Sequence, residues 1–240
     1  MQDREPSKPL SSWLSNIGGS IVEATSESDW LCVEISQLSQ KKHLFLTLTE
    51  HNASACLVAD TRALLWSTKA LEVQEHFRAL AGYPLAEGMK VRMLVKGSFH
   101  PLFGLTLVVR DIMPMAEASN NKPKAELLPI PEGITLKNLL LRIAAAVENT
   151  AGQATWVTGE MLKVSNKDNL YLLGDRDSSG QLSARLHGII LPEESQKPVL
   201  KRFRALTGKL LAAGMHVRMR VTASFDPLTG LKAIIHDIME

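Results

Sequence analysis

The chain is poor in cysteine, in aromatic residues and in long apolar runs, and these shortages exclude several classes of protein. Two cysteines among 240 residues, Cys32 and Cys56, cannot build a disulfide scaffold, so we expect reduced thiols in a cytoplasmic protein. No stretch approaches the roughly 20 apolar residues of a transmembrane helix, and the polar N-terminus lacks the apolar core of a secretion signal. A net charge of only +2 excludes a histone-like polycation. We therefore expect no membrane partner.

The chain does contain an internal repeat. When the sequence is shifted by 126 residues, the segment 77–113 falls on 203–239 with 22 of 37 positions identical. The same shift places Trp30 on Trp156, and a shift that is kept along most of the chain indicates a tandem duplication.

The two repeats are separated by a segment with a different composition. Residues 114–133 contain four prolines and no apolar periodicity, which is typical of a linker. The sequence therefore predicts a first domain at 1–113 and a second domain at 134–240.

Each repeat begins with helical periodicity and then changes to a period of two. Leu136, Leu139, Leu140 and Ile143 recur at helical spacing, and Leu10, Trp13, Leu14 and Ile17 repeat this pattern. The alternation that follows predicts five strands, with a charged helix between the third and the fourth. In the first repeat we expect strands at 30–38, 43–50, 54–60, 90–99 and 105–113.

The order of helix, three strands, helix and two strands decides the fold class. It indicates the OB-fold, a five-stranded Greek-key barrel, whereas a sandwich would need about seven strands. The prediction is a mainly β protein with helices, built as two tandem OB-fold barrels that are each preceded by a helix.

Several spaced motifs make the chain similar to a known family. They are Trp156 to Glu160 (WVTGE), Ser165-Asn166, Leu170-Tyr171, the run HLFLTLTE at 43–50, and EGMKVRMLVKGSF followed by Pro101, Gly104 and Leu107. Together they resemble the N-terminal OB-fold domain of the bacterial exodeoxyribonuclease VII large subunit, present twice in tandem. The resemblance implies DNA binding. In that family a separate C-terminal region carries the nuclease, and this chain has a second OB unit there, so we expect no exonuclease activity.

An outward aromatic residue on the second strand is the first candidate contact for nucleic acid. Leu44, Leu46 and Leu48 share one face of that strand and predict the barrel interior, so Phe45 is expected on the outer, binding side. The shift of 126 residues places Tyr171 at the same position in the second repeat. Both rings could stack on bases, or they could pack against the leading helix or the other barrel.

Basic residues supply the other candidate contacts, because a phosphate backbone needs a positive groove. Residues 1–125 carry 13 basic and 13 acidic side chains, and residues 126–240 carry 14 and 12, so we expect the second repeat to contribute more electrostatic affinity. Part of this charge is also what a solvated helix face would carry. The predicted nucleic-acid-binding residues are Phe45, Tyr171, Lys41, Lys42, Arg92, Lys163, Lys167, Arg185, Arg218 and Arg220.

The sequence contains no recognisable catalytic or metal-binding motif. Seven histidines are scattered without HExxH or zinc spacing, and there is no phosphate loop or GxSxG motif. We therefore expect no enzymatic activity, no cofactor and no metal. The leading hypothesis is a cytoplasmic single-stranded DNA-binding protein for replication, recombination or mobile-element transfer. The alternatives are a protein–protein scaffold, a partner of a nuclease or replication complex, and RNA binding.

Overall fold

A computed structural model describes residues 6–115, 133–165, 169–191 and 196–240, with the backbone alone for residues 196 and 197. The first repeat contains the predicted elements and, before its first helix, an additional strand of two residues. Its elements are β1 Lys8–Pro9, α1 Leu10–Ala24, β2 Asp29–Gln40, β3 Leu44–His51, β4 Leu57–Leu65, α2 Ser67–Ala81, β5 Lys90–His100 and β6 Gly104–Pro114.

The second repeat contains the same elements in the same order. They are β7 Ile134–Thr135, α3 Leu136–Ala151, β8 Thr155–Ser165, β9 Leu170–Arg176, β10 Leu182–Ile189, α4 Gln196–Thr207, β11 His216–Asp226 and β12 Gly230–Met239. The predicted helix at the start of each repeat is confirmed, and so is the helix between the third and fourth long strands.

The five long strands of each repeat close into a barrel. In the first repeat, β2 pairs antiparallel with β3 and β5, β4 pairs antiparallel with β3, and β6 closes the ring between β5 and β4. Strands β8 to β12 repeat these pairings in the second. Two closed five-stranded barrels, each with a leading helix, confirm the predicted fold class of two tandem OB-folds.

The third strand of the first repeat lies further along the chain than predicted. The sequence pattern predicts residues 54–60, whereas β4 runs from Leu57 to Leu65. The side-chain oxygen of Asn52 accepts hydrogen bonds from the backbone N–H groups of Ser54 (2.9 Å) and Cys56 (3.0 Å). An asparagine that binds its own backbone in this way favours a turn over a strand, so the strand begins later.

A tight turn joins the last two strands of each barrel. The turns run from Pro101 to Gly104 and from Pro227 to Gly230, as the Pro-x-x-Gly pattern predicts. Gly104 has φ 75° and Gly230 has φ 74°, a left-handed conformation that glycine adopts without steric cost. We name these segments the first and second β-turns.

The two leading helices form a shared layer between the barrels. Helix α1 packs on β5 of its own barrel and on β8, β9 and β10 of the other, while α3 packs on β11 and on β2, β3 and β4. The helices also contact each other. Their buried faces follow the predicted helical period, with Leu10, Trp13, Leu14, Ile17 and Ile21 on α1 and Leu136, Leu139, Leu140, Ile143 and Val147 on α3.

The short strands that precede these helices are exchanged between the barrels. Strand β1 pairs in parallel with β8 of the second barrel, and β7 pairs in parallel with β2 of the first. Each barrel is therefore completed by a segment of the other repeat. Most of the proposed linker, residues 116–132, lies outside the described residues, and the division at residues 113 and 134 stays a prediction.

Candidate nucleic-acid interface

Phe45 lies on the outer face of the first barrel. Its neighbours Leu44 and Leu46 point into the barrel and are 0% and 2% exposed, whereas Phe45 is 45% exposed. The predicted outward orientation is therefore confirmed for this residue. Strands β3 and β4 occupy the positions at which OB-folds bind oligonucleotides, so the ring stands on the expected binding face.

A groove of about 490 Å³ lies beside Phe45. We name it the barrel 1 groove, and its walls include Gln37, Ser39, Phe45, Thr47, Arg62 and Phe103. The guanidinium of Arg62 donates a hydrogen bond to the backbone oxygen of Phe103, which holds the first β-turn against β4. The groove thus combines two aromatic rings with a cation, and these are the groups that stack bases and bind phosphates.

Arg62 is a candidate residue that the sequence reasoning misses. The predicted third strand ends at Asp60, whereas β4 continues to Leu65. Thr61 and Ala63 are buried, and Arg62 between them is exposed. The alternation of small or apolar residues beyond Asp60 is the signal in the sequence that could have located it.

Two further rings enlarge the aromatic surface of the first barrel. The His43 ring stands edge-on to Trp66, with 4.9 Å between ring centroids, and lies 6.3 Å from Phe45. Its Nδ1 accepts a hydrogen bond of 3.2 Å from the backbone N–H of Ser67, which fixes the ring orientation. Trp66 is 48% exposed and Phe103 is 59% exposed. Neither Trp66 nor Phe103 has an aromatic counterpart in the second repeat.

Tyr171 does not lie on the outer face, and its predicted orientation is wrong. Its side chain is only 1% exposed, on the inward side of β9. Five residues separate the paired positions Ser39 and Phe45, but only four separate Ser165 and Leu170. Because side chains alternate along a strand, one missing residue moves every following side chain to the opposite face.

The residue equivalent to Phe45 is therefore Leu170. It is 43% exposed, close to the 45% of Phe45. Tyr171 takes the interior place of Leu46, and its cross-strand partner is Gly188, where Leu46 has Ala63. The second barrel consequently presents an aliphatic side chain where the first presents an aromatic one.

Basic residues line the outer face of the second barrel. Lys163 is exposed on β8 opposite Leu172, and Arg185 and His187 are exposed on β10. Lys163 and Arg185 thus lie on the face formed by β8, β9 and β10.

The predicted lysines of the inter-strand turns are exposed where the structure describes them. Lys41 and Lys42 follow the end of β2, at one end of the strands that form the barrel 1 groove. The backbone N–H of Lys41 donates to the oxygen of His43 at 3.1 Å and closes the turn. Lys167, their predicted counterpart, lies outside the described residues.

The arginines on the fourth strands lie away from this face. Arg92 is on β5 and Arg218 and Arg220 are on β11, strands that pair with the first and fifth strands of their barrels. The Cζ atom of Arg218 lies 4.7 Å from the centroid of the Trp156 ring, a cation–π contact. Arg220 is exposed. Burial of the His236 ring is the larger cause that lowers the pKa of His236, and the positive charge of Arg220 lowers it further. The structure thus separates these arginines from Phe45, Lys163 and Arg185.

A second cavity, of about 480 Å³, lies where the two barrels meet. We name it the inter-barrel cleft, and β4, β10 and both β-turns form its walls. The backbone N–H of Asp60 donates to the oxygen of Pro227 at 3.0 Å, and that of Arg185 donates to the oxygen of Pro101 at 3.1 Å. Arg185 Nε also donates to the oxygen of Leu102 at 2.8 Å. Each β-turn is therefore bound to the third long strand of the opposite barrel.

The described part of the chain contains no group of three or more histidine, cysteine, aspartate or glutamate side chains that could hold a metal ion. Within the same ranges, none of the helices combines the length and the hydropathy that a membrane crossing requires.

Comparison with known proteins shows what the first barrel is similar to. Residues 10–113 match the family described as the OB-fold nucleic acid binding domain. The exodeoxyribonuclease 7 large subunit of Deinococcus radiodurans is 30% identical over 121 residues, which cover 46% of this chain and 29% of the relative. The match thus spans less than a third of the relative's own length. The family match supports nucleic-acid binding.

Two solved structures align with most of the chain at low similarity. One is a murine DNA-binding protein bound with double-stranded DNA, with 9% identity, 87% of this chain and 93% of that chain covered, and a TM-score of 0.22. The other is the HINa domain of Ifi202 with a 20-base-pair duplex, with 13% identity, 88% and 91% covered, and a TM-score of 0.21. TM-scores this low do not allow their ligands to be assigned to this chain. In sequence, the first repeat is thus similar to the OB-fold nucleic acid binding domain family and to part of an exodeoxyribonuclease 7 large subunit.

Proposed function

We propose that this chain is a non-enzymatic, cytoplasmic protein that binds single-stranded DNA. The main support is the barrel 1 groove, in which the exposed ring of Phe45 lies beside Arg62 on the strands that carry ligands in OB-folds. Two free cysteines, Cys32 and Cys56, are consistent with a reducing compartment. Replication, recombination or mobile-element transfer would provide single strands of this kind.

The exposed rings favour a single strand over a duplex. A ring such as Phe45 or Phe103 can stack on a base only when that base is not already stacked within a helix, and each such contact contributes about 1–3 kcal/mol. The groove is walled by Gln37, Ser39 and Thr47, which can form hydrogen bonds without selecting one base. We therefore expect binding with little sequence preference.

Electrostatic affinity comes from both barrels. Lys41 and Lys42 stand at one end of the barrel 1 groove, and Lys163 and Arg185 lie on the outer face of the second barrel. We propose these four residues and Arg62 as the phosphate contacts. Four further phosphate contacts stay predictions, namely Lys167 and the fourth-strand residues Arg92, Arg218 and Arg220. Contacts with these three arginines would require a nucleic-acid strand that wraps around the barrel.

The test is fluorescence anisotropy with labelled single-stranded DNA, duplex DNA and RNA at two salt concentrations. Phe45→Ala should weaken single-strand binding about 5- to 150-fold, the equivalent of one lost stacking contact. Tyr83→Ala is the matched control, because Tyr83 is 47% exposed but lies beyond the end of α2 and outside the groove. Equal affinities of both variants and the unmodified chain would contradict a stacking role for Phe45.

A second comparison tests the charges. Lys163→Glu should weaken single-strand binding and reduce its salt dependence, since one phosphate contact fewer releases fewer counterions. Arg204→Glu makes the same charge change on the exposed side of α4 and should leave the salt dependence nearly unchanged. If the two substitutions act alike, the affinity reflects overall charge and the assigned face is wrong. RNA bound more tightly than DNA would change the ligand but keep the site.

A protein-binding scaffold is the second candidate function, and exposed leucines on the outer helices favour it. Leu71 is 69% exposed on α2, and Leu206 and Leu210 are 62% and 69% exposed at the end of α4 and just after it. Side chains of this size in contact with water are frequent at protein-binding surfaces. Absence of salt-sensitive binding to any single strand in the anisotropy experiment would favour this function.

A further inference from the structure

We propose that the outer faces of the two barrels form one continuous track, on which a single nucleic-acid strand crosses the inter-barrel cleft. This inference rests on the proposed function and adds to it that one strand contacts both barrels. It predicts one strand bound per chain over a length greater than one barrel can cover.

The first observation is that the barrel 1 groove and the cleft adjoin each other. Arg62 and Phe103 belong to the walls of both cavities. A strand that stacks on Phe45 and passes Phe103 therefore reaches a residue that also lines the cleft. At this point the guanidinium of Arg62 lies on the path.

The second observation concerns the opposite wall of the cleft. Leu172, Arg185 and His187 form part of this wall and also belong to the outer face of β9 and β10. Lys163 lies beyond them, opposite Leu172 in the strand register. The cleft is therefore bordered on one side by the binding face of the first barrel and on the other by the equivalent face of the second.

The third observation is that two arginines from different barrels meet at the first β-turn. Arg62 donates to the backbone oxygen of Phe103, and Arg185 Nε donates to that of Leu102 at 2.8 Å. A guanidinium has five N–H donors, so one bond to a carbonyl leaves capacity for a phosphate oxygen. Among the described residues that line the cleft, Asp60 is the one acidic side chain, and the two arginines outnumber it.

The fourth observation is that the junction is fixed by hydrogen bonds. The reciprocal backbone bonds from Asp60 to Pro227 and from Arg185 to Pro101, at 3.0 and 3.1 Å, join each β-turn to the opposite barrel. With the exchanged strands β1 and β7, they hold both faces in one orientation. The second barrel is therefore preorganised to receive a strand that the first barrel has bound, and little further ordering is required.

The experiment measures affinity and stoichiometry with homopolymeric single-stranded DNA of increasing length, with RNA of the same lengths in parallel. One OB-fold covers about 4–16 nucleotides. We expect affinity to rise beyond the length at which one barrel is filled, with one oligonucleotide bound per chain throughout. Arg185→Glu should reduce the salt slope by about one unit for long oligonucleotides and leave it unchanged for short ones. Arg204→Glu should leave the salt slope unchanged at both lengths.

The outcomes separate this inference from the proposed function. Two long oligonucleotides per chain, or an affinity that stops rising at the length of one barrel, would show separate sites and overturn the track while single-strand binding stands. No binding at any length would overturn both. The length series uses the unmodified chain, so it decides the question even if Arg185→Glu fails to fold.

Discussion

Asp175 of the second barrel accepts two hydrogen bonds from Ser11 at the start of helix α1 in the first repeat. The backbone N–H of Ser11 lies 3.0 Å and its hydroxyl 2.5 Å from the same carboxylate oxygen. The equivalent contact exists in the other direction, where the N–H of Lys137 donates to Glu50 of the first barrel at 2.7 Å. The first N–H groups of a helix have no partner within it, so each barrel stabilises the helix that leads into the other.

Removal of these carboxylates should destabilise the protein unequally. Pro9, the N-cap of α1, offers no side-chain hydrogen bond, whereas the Thr135 hydroxyl caps α3 by accepting from Asn138 N at 3.1 Å. Asp175→Ala should therefore cost about 1–2 kcal/mol of unfolding free energy and Glu50→Ala less. Urea denaturation measures both. Glu23→Ala, an exposed charge on α1, controls for the loss of charge. Equal stability of the Asp175 and Glu23 variants would contradict this role.

Two adjacent glycines in α1 should respond oppositely to alanine. A Cβ at Gly18 would lie 2.7 Å from Cδ1 of Phe99, whereas one at Gly19 would meet nothing within 4 Å. Gly19→Ala should stabilise the protein by about 0.5–1 kcal/mol, because alanine favours the helix and restricts the unfolded chain. Gly18→Ala should gain less or lose stability, since Phe99 of β5 must move. Melting temperatures compare the two directly, and the same change in both would rule out close packing at Gly18.

The fold could be predicted from the sequence because its signals are local. The helical spacing of Leu136, Leu139 and Leu140 and the alternation around Leu44 each reflect which side faces a core, and the repeat doubles every signal. The exchange of β1 and β7 could not be predicted in this way. A segment of two residues carries no periodicity, and the two barrels offer similar edges, so nothing local in the sequence indicates which edge each segment joins.

The candidate site could be predicted only in part, because the face on which a side chain lies depends on the register of its strand. Phe45 follows from alternation within one strand, but the position of Tyr171 also depends on the length of the preceding turn. The repeat alignment keeps one shift and therefore carries the aromatic residue to the wrong face. Arg62 is missed because a turn held by Asn52 delays the start of β4.

The different environments of Tyr171 and Phe45 predict opposite phenotypes. Tyr171→Ala removes a ring that is 1% exposed and should cost about 3–5 kcal/mol of unfolding free energy. Phe45→Ala removes a ring that is 45% exposed and should change stability by less than about 0.5 kcal/mol while it weakens strand binding. Denaturation and anisotropy on both variants give the comparison. A stable Tyr171 variant with weakened binding would restore the symmetric platform that the sequence suggests.

Cleavage of the chain between the repeats should not separate the barrels. A protease site placed within residues 116–132 would leave two fragments, each of which supplies a strand and a helix face to the other through β1 with β8 and β7 with β2. The buried sides of α1 and α3 would lose their cover on dissociation. We therefore expect the fragments to elute together as a 1:1 complex in size-exclusion chromatography at micromolar concentration, and to bind single strands as the intact chain does.

A denatured and refolded sample serves as the control for slow dissociation. Two separate, folded fragments would instead show that residues 1–113 and 134–240 are independent domains.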